Sequence, residues 1–271
     1  MKSAESALAV CVVGLACFIG GQTAGGRRAN TRHDAVEVIA NGAPAMGVLR
    51  NADADPVQDF GTAVPEMLVR EAAPSPSSAS VAPAELRRRL KEGAAGTYIA
   101  DILAARDSTI VRWPDRSTRP LRVWISELET LEGWNPDFVP AIRDAFERWV
   151  QTGIPVRFTY IRDSASADVH VRFTERFANG ISGKTIWSRN AAWWLVSSDI
   201  QLALAHPNGG NVTPPQMRAI ALHEVGHLLG LDHASDAEHI MSARIRVREL
   251  TPADRATVRL LYAVPAGVSR E

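Results

Sequence analysis

Cysteine is almost absent from this chain of 271 residues, which has only Cys11 and Cys17, both in an apolar run near the N-terminus. The rest of the chain can therefore form no disulfide and no cysteine-ligated metal site. An excess of charge of either sign is also absent, because 30 Lys and Arg balance 30 Asp and Glu. Nucleic-acid-binding proteins usually carry a basic excess that neutralises phosphates, so we expect no nucleic-acid partner.

Long apolar runs are scarce too, and the one candidate is the 15-residue segment Ala7–Gly21. A membrane-spanning helix needs about 20 apolar residues, which favours an export signal. Arg27 and Arg28 follow closely and would resist crossing a membrane, so a retained anchor stays open. We expect residues 1–24 to be a signal peptide or an N-terminal membrane anchor, and the protein to be secreted or extracytoplasmic, tethered in the second case.

Aromatic residues are concentrated in the later part of the chain, and only Phe18 and Phe60 precede residue 96. Residues 72–84 are Ala, Ser or Pro at every position except Val81. Such a segment buries too little apolar surface to offset its ordering entropy. The expected division is a largely disordered Ala/Pro/Ser-rich linker or pro-segment at 25–95, a folded domain at 96–264 and a tail at 265–271.

Hydrophobic periodicity predicts an α/β order in the folded domain. A helix that Asn135 caps, with Pro136 at its first position, runs down to Gly153 between two strands, and such a crossover implies parallel pairing. Thr213 begins a second helix with a capping box, and Thr251 begins a third that reaches about Ala263. Alternation predicts strands at 121–125, 155–161, 168–173, 184–188 and 196–204. Ahead of the domain, the spacing of Leu86 and Leu90 predicts a short helix.

The second helix carries the residues with chemistry. His223 and His227 are four residues apart, so both imidazoles lie on one helix face and can reach a single ion. Gly230 permits a positive φ at the helix end, which lets the chain turn back and bring His233 to the same ion. Three protein ligands with one open position are typical of catalytic zinc. We therefore expect one Zn²⁺ on these three histidines.

Glu224 stands beside the first of these histidines without being needed as a ligand. The sequence predicts a zinc-dependent endopeptidase that hydrolyses peptide bonds through a metal-activated water, with Glu224 as general base. A protein or peptide is then the substrate, and we expect a monomer. Serine and cysteine nucleophiles have no support, since no Gly-x-Ser-x-Gly elbow is present.

Two alternatives stay open at this point. The chain could be a catalytically silent, zinc-stabilised module that binds peptides, although binding alone needs no base such as Glu224. Zinc hydrolysis could also use Glu249 as third ligand in place of His233, although Gly230 is placed to favour the histidine.

The segment from His223 to His233 has the HExxHxxGxxH signature of the metzincins, and Ile240-Met241 follows where that clan has its Met-turn. The loop after His233 and the closing stretch 250–262 most resemble matrixins, particularly compact bacterial ones. Astacin-like enzymes would have Glu and Tyr where Ala234 and Ser242 stand. The resemblance covers about residues 97–264, and only 223–242 is highly specific.

This resemblance implies an α/β (α+β) metzincin-like fold: a twisted, mixed five-stranded sheet above the active-site helix, closed by a C-terminal helix. It implies that Met241 lies under the three imidazoles as an apolar support and is not a ligand. It also implies that the strand 196–204 forms the upper rim of the cleft, to which an extended peptide could add as another strand. Residues 242–248 would wall the pocket beyond the scissile bond, with Arg244, Arg246 and Arg248 mostly facing water.

The chain departs from the animal matrixins in two respects. A cysteine switch is impossible because no cysteine follows Cys17, so any inhibition by residues 25–95 needs another route. The second, structural zinc needs a His and Asp cluster for which only His170 and His206 are available, so we expect that ion to be missing. We interpret His170 as a solvent-facing strand residue, His206 as a loop residue and His239 as a surface residue. Ca²⁺ is compatible with the resemblance, but no site is assigned.

Overall fold

The computed structural model describes residues 82–127 and 130–269, together with the backbone of 60–62 and 66–69. The apolar run Ala7–Gly21, the expected signal or anchor, and most of the expected pro-segment lie outside these residues. Within the described ranges, no helix is both long enough and apolar enough to cross a membrane.

The elements follow one another in a mixed order of strands and helices. The helices are α1 (Pro83–Gly93), α2 (Ile99–Ala105), α3 (Phe138–Val150), α4 (Pro214–Leu228) and α5 (Pro252–Ala263). The longer strands are β4 (Arg116–Ile125), β5 (Val156–Tyr160), β6 (Val169–Thr174), β7 (Ile181–Arg189) and β8 (Leu195–Ala203). The short strands are β1 (Phe60–Thr62), β2 (Glu66–Val69), β3 (Thr109–Ile110), β9 (Arg244–Ile245) and β10 (Gly267–Val268).

The five longer strands form the mixed sheet that the sequence predicts, in the order β5-β4-β6-β8-β7. The first four are parallel, and β7 runs antiparallel to β8. The crossover from β4 through α3 to β5 produces the expected parallel pair. Beyond β7 the sheet is extended by three short strands, β1 and β2, which run parallel to β7, and β9, which pairs with β1.

The core lies between the sheet and two helices that pack on each other, α3 and α4. Strand β6 shows why the sheet packs on the helices. Its alternate residues Val169, Val171 and Phe173 lie on one face of the sheet and are buried. Two buried tryptophans fix α4: Trp149 Nε1 donates to Leu222 O and Trp113 Nε1 donates to Leu228 O, each at 2.8 Å. Helix α4 is thereby held from both ends of its second half, which is where its functional residues lie.

Helix α3 begins two residues later than the sequence predicts. The N-cap is Asp137, and Phe138 is the first helical residue. Asn135 still makes the contact of a capping residue, because its Oδ1 accepts from the backbone N–H of Asp137 at 2.9 Å. This contact closes a local turn that contains Pro136, so the helix starts only after the turn.

The compact fold is wider than the predicted domain of 96–264. Helix α1 lies inside the segment 25–95 that was expected to be largely disordered, and its Leu86 and Leu90 are buried in the core. At the other end, the predicted tail contributes β10, which pairs with β3. Both additions arise from contacts with distant parts of the chain, which local composition does not reveal.

Candidate metal centre

Helix α4 presents its two histidines from a well-defined start. The backbone N–H of Thr213 donates to Gln216 Oε1 at 2.8 Å, and Pro214 occupies the first turn. Nearly every later residue of the helix is buried, including His223 and His227, whose exposure is 0%. Their ring centroids are 4.7 Å apart. The i,i+4 spacing therefore brings both imidazoles together inside the core.

The chain reverses at Gly230, which has φ +99°. The N–H of Leu231 donates to Gly226 O and the N–H of Gly230 donates to His227 O, each at 3.0 Å. These two bonds are those of a Schellman motif, which ends a helix with a residue in the left-handed region. The turn returns His233 to the helix, and its Nε2 lies 3.3 Å from His227 Nε2. The role predicted for Gly230 is confirmed.

The three imidazoles fit a single divalent cation. Their ligand atoms all lie within 4.8 Å of one another. Two nitrogens bound at about 2.0–2.1 Å to one tetrahedral zinc ion are about 3.3 Å apart, which matches the His227–His233 separation. His223 Nε2 is buried and has no hydrogen-bond partner among the residues that the structure describes. Burial lowers the pKa of all three histidines, which favours the neutral form that binds metal.

Backbone carbonyls orient the two helical imidazoles. His223 Nδ1 lies 2.6 Å from Ile240 O, and His227 Nδ1 lies 3.1 Å from Leu231 O. A carbonyl can only accept, so each Nδ1 carries the proton and each Nε2 keeps a free lone pair. Such contacts fix the tautomer of histidines that bind a metal.

The turn that contains Met241 is attached to the segment that carries the third histidine. The N–H of Ala234 donates to Met241 O at 2.9 Å. The Met241 side chain is fully buried, and a methyl group added at Gly226 of α4 would overlap its sulfur. Met241 thus packs against α4 between the positions of the two helical histidines, as expected of an apolar support.

Arg106, at the end of α2, holds the loop of the third histidine in place. Its guanidinium donates to Asp232 Oδ2 at 2.8 Å, to Gly230 O at 2.7 Å and to Leu231 O at 2.8 Å. Asp232 Oδ1 in turn accepts from the backbone N–H of His233 at 2.8 Å. Sequence analysis missed Arg106, because no local pattern links it to a loop 126 residues later.

Glu224 lies fully buried between α4 and β7. Its Oε2 accepts from Thr185 Oγ1 at 2.5 Å, whereas Oε1 has no partner among the described residues. Burial raises the pKa of this carboxyl group to about 8, although the bond from Thr185 opposes the shift. The carboxyl group therefore has a high proton affinity and one oxygen that is free to act.

Comparison with known proteins agrees with this geometry. Residues 134–263 match the Matrixin family. This match covers just under half of the chain and supports a matrixin-like metzincin. It is similar to Metalloendoproteinase 1-MMP of Arabidopsis thaliana, with 28% identity over 146 residues that cover 46% of this chain and 38% of that protein. The match thus spans well under half the length of this relative.

The other histidines of the matrixin-like domain lie outside the metal cluster. His206 is buried in its loop, whereas His170 and His239, which we expected to face solvent, are half-buried. His239 also stacks on Tyr98, with ring centroids 5.4 Å apart. The polar contacts are to Ser164 O at 2.9 Å for His170, to Gln216 Oε1 at 3.2 Å for His206 and to Thr251 Oγ1 at 3.1 Å for His239.

Glu249, the alternative third ligand, is placed elsewhere. Its carboxylate pairs with Arg218 at 2.9 Å, and its side chain is 59% exposed. The potential metal-binding group found among the described residues consists of His223, His227 and His233. The structure therefore gives no support to Glu249 as a substitute for His233.

The strand 196–204, which we expected to form the upper rim of the cleft, is not at the edge of the sheet. That predicted strand corresponds to β8, which lies inside the sheet between β6 and β7. Of the two strands, only β7 pairs with the short strands β1 and β2, whereas both pack on α4. In the segment 242–248, which we expected to wall the pocket, Arg244 and Arg246 face water as predicted. Both are exposed, and Ile245 between them is buried.

Proposed function

We propose that the chain is a zinc-dependent endopeptidase in which Glu224 acts as the general base. The proposal rests on two buried atoms of neighbouring residues, His223 Nε2 and Glu224 Oε1. Neither atom has a hydrogen-bond partner among the described residues. Leaving buried polar atoms without partners costs free energy, and such groups concentrate where a ligand or a reaction completes them. A metal would complete the first atom, and a water molecule would complete the second.

His223, His227 and His233 would hold the zinc, and when bound it would supply Lewis acidity that acidifies water and polarises a peptide carbonyl. Glu224 Oε1 takes a proton as the water oxygen attacks the carbonyl carbon. The same carboxyl group then gives that proton to the amine nitrogen as the C–N bond breaks.

The test compares the wild type with Glu224→Gln, which keeps the size of the side chain and removes the base. We expect the variant to retain zinc as the wild type does and to lose cleavage of a quenched fluorescent peptide. Undiminished cleavage by the variant would overturn the assigned base. A wild-type protein that binds zinc and peptides without cutting them would instead favour the silent binding module.

We further propose that the substrate binds as an extended strand between β7 and β9. An exposed strand edge offers backbone N–H and C=O groups to a peptide. This place already accepts a strand of the chain itself, because β1 pairs with β7 on one side and with β9 on the other. In these pairings, Gly61 of β1 lies opposite Ile181 of β7 and opposite Arg244 of β9.

The same pairing supports the proposal that the expected pro-segment, residues 25–95, blocks the cleft through its strands β1 and β2. Strand β2 continues the pairing along β7, with Met67 opposite Trp187. A substrate cannot add to an edge whose hydrogen-bonding groups are already paired.

The test replaces both Met67 and Leu68 by proline in the full-length protein. Neighbouring residues of a strand direct their N–H groups to opposite sides, so one of the two prolines removes an N–H group that faces β7. We expect this variant to cleave peptides faster than a control variant with prolines at Ser77 and Ser78. Equal rates of the two variants would contradict the block.

Export of the protein remains a proposal that rests on the apolar run Ala7–Gly21. A cleaved signal releases the chain, and a retained one tethers it to the membrane. N-terminal sequencing of the protein from the extracytoplasmic fraction distinguishes the two, because a new N-terminus near residue 25 requires cleavage. An intact N-terminus in the membrane fraction would indicate the anchor.

A further inference from the structure

Two residues of β7 face the side chain of Glu224. Gly183 and Thr185 are two positions apart, so they lie on the same side of the strand. A methyl group added at Gly183 would overlap Glu224 Oε1, and Thr185 Oγ1 lies 2.5 Å from Oε2. The strand therefore accommodates one carboxylate oxygen where a side chain at position 183 would lie, and it places a hydroxyl group at the other.

The hydroxyl group of Thr185 is a directed donor. Its distance to Oε2 is within the range of about 2.5–2.7 Å that is typical of a hydroxyl group bonded to a carboxylate. The longer distance of 3.1 Å to the backbone oxygen of Glu224 makes that oxygen the weaker acceptor. Thr185 is itself fully buried and belongs to a strand that pairs on both sides. The donor thus has a fixed position and is shielded from bulk solvent.

We propose that Thr185 is the positioning residue of the general base. Its hydroxyl group holds Oε2 and so fixes the torsion angles of Glu224 with Oε1 directed into the space that Gly183 leaves free. A carboxylate without this bond would rotate between several orientations, of which only some place an oxygen at the reacting water. The proposal rests on the function proposed for Glu224 and adds the residue that orients it.

The test is the pair Thr185→Val and Thr185→Ser in the full-length protein. Valine keeps the branched shape and removes the donor, whereas serine keeps the donor. We expect valine to lower kcat about 10- to 100-fold, the change that corresponds to losing one hydrogen bond to a charged group. KM and zinc content should stay close to the wild-type values, and a cooperative thermal unfolding transition checks that the variant is folded. Serine should restore most of the rate.

Two results would overturn the proposal. The first is a valine variant with the wild-type kcat. The second is a loss of rate that serine does not restore or that accompanies loss of zinc, because either would mean a merely structural role. The variant Glu224→Gln distinguishes failure of the proposed base, Glu224, from failure of the proposed positioning residue, Thr185. If that variant is active, the proposed base is wrong, and if it is inactive while Thr185→Val is unaffected, only the role of Thr185 is wrong.

Discussion

The guanidinium group of Arg106 donates to the carboxylate of Asp232 at 2.8 Å, and both side chains are only 9% exposed. The same arginine bonds the carbonyls of Gly230 and Leu231, so one side chain meets three acceptors of the reversing loop. The loop has no regular secondary structure of its own at His233. Its conformation therefore depends on a residue outside the metal-binding motif.

Replacing Arg106 by Ala should destabilise the fold by about 3 kcal/mol or more, because the change leaves a buried carboxylate without its partner. It should also weaken zinc binding, since His233 loses the contact that fixes its loop. Denaturant unfolding and competition with a chelator measure the two effects. Lysine is the matched control: it keeps the charge but cannot serve three acceptors, so intermediate losses are expected. Wild-type zinc affinity in the alanine variant would contradict this role.

Gly230→Ala should destabilise the protein by about 2–4 kcal/mol. The φ of +99° strains any side chain, and the new methyl group would also overlap the carbonyl oxygen of Val111. Gly96→Ala is the control, because Gly96 has φ +71° but no atom within 4 Å of the added carbon. Only the Gly230 variant should lose zinc affinity. Equal effects of the two substitutions on unfolding and on zinc would contradict the close approach.

Met241 should behave as a packing residue and not as a ligand. Met241→Leu conserves volume and should cost less than about 1.5 kcal/mol with zinc retained. Met241→Ala leaves a cavity next to α4 and should cost about 2–5 kcal/mol. Metal analysis and thermal unfolding of both variants check these outcomes. Loss of zinc in the stable leucine variant would indicate that the sulfur takes part in binding.

In metal-free protein, Glu224 should make stability depend on pH. Its folded-state pKa is raised from 4.5 to about 8, so between these values the folded state binds a proton that the unfolded state releases. Stability therefore falls as pH rises through this window. The glutamine of the Glu224→Gln variant does not titrate. The free energy of unfolding of this variant should therefore exceed that of the wild type by an amount that grows between pH 5 and pH 8 toward a few kcal/mol, at about 1.4 kcal/mol per pKa unit.

Denaturant unfolding of both chelator-treated proteins at several pH values measures this difference. The three histidines act in the opposite direction, because burial lowers each pKa and acid must charge them in the unfolded state. They are present in both proteins, so their contribution cancels in the comparison. A difference that does not change with pH would contradict the buried carboxyl group.

Local signals predicted the metal-binding helix well. Thr213, Pro214 and Gln216 define the start of α4 within a single turn, and Gly230 defines its end through its own backbone freedom. The same reasoning placed α5, which begins at Pro252 after the cap Thr251. In these cases the residues that determine the structure are also neighbours in the sequence.

Long-range contacts account for what the sequence did not reveal. Arg106 meets its partners more than 120 residues later, and the two strands of the β3–β10 pair are also far apart in the chain. The choice of β8 as the rim failed because the alternation of a strand does not specify its neighbours in the sheet. Thr185 escaped notice for the same reason, since its function depends on which residue of α4 it faces.

Zinc-edge X-ray absorption on the purified, unchelated full-length protein tests the central claim most directly. We predict about one zinc per chain, with three imidazole nitrogens and one oxygen at about 2.0–2.1 Å, and loss of one imidazole in His233→Ala. A zinc-free protein, or a spectrum that His233→Ala leaves unchanged, would contradict the convergence of three histidines on one ion.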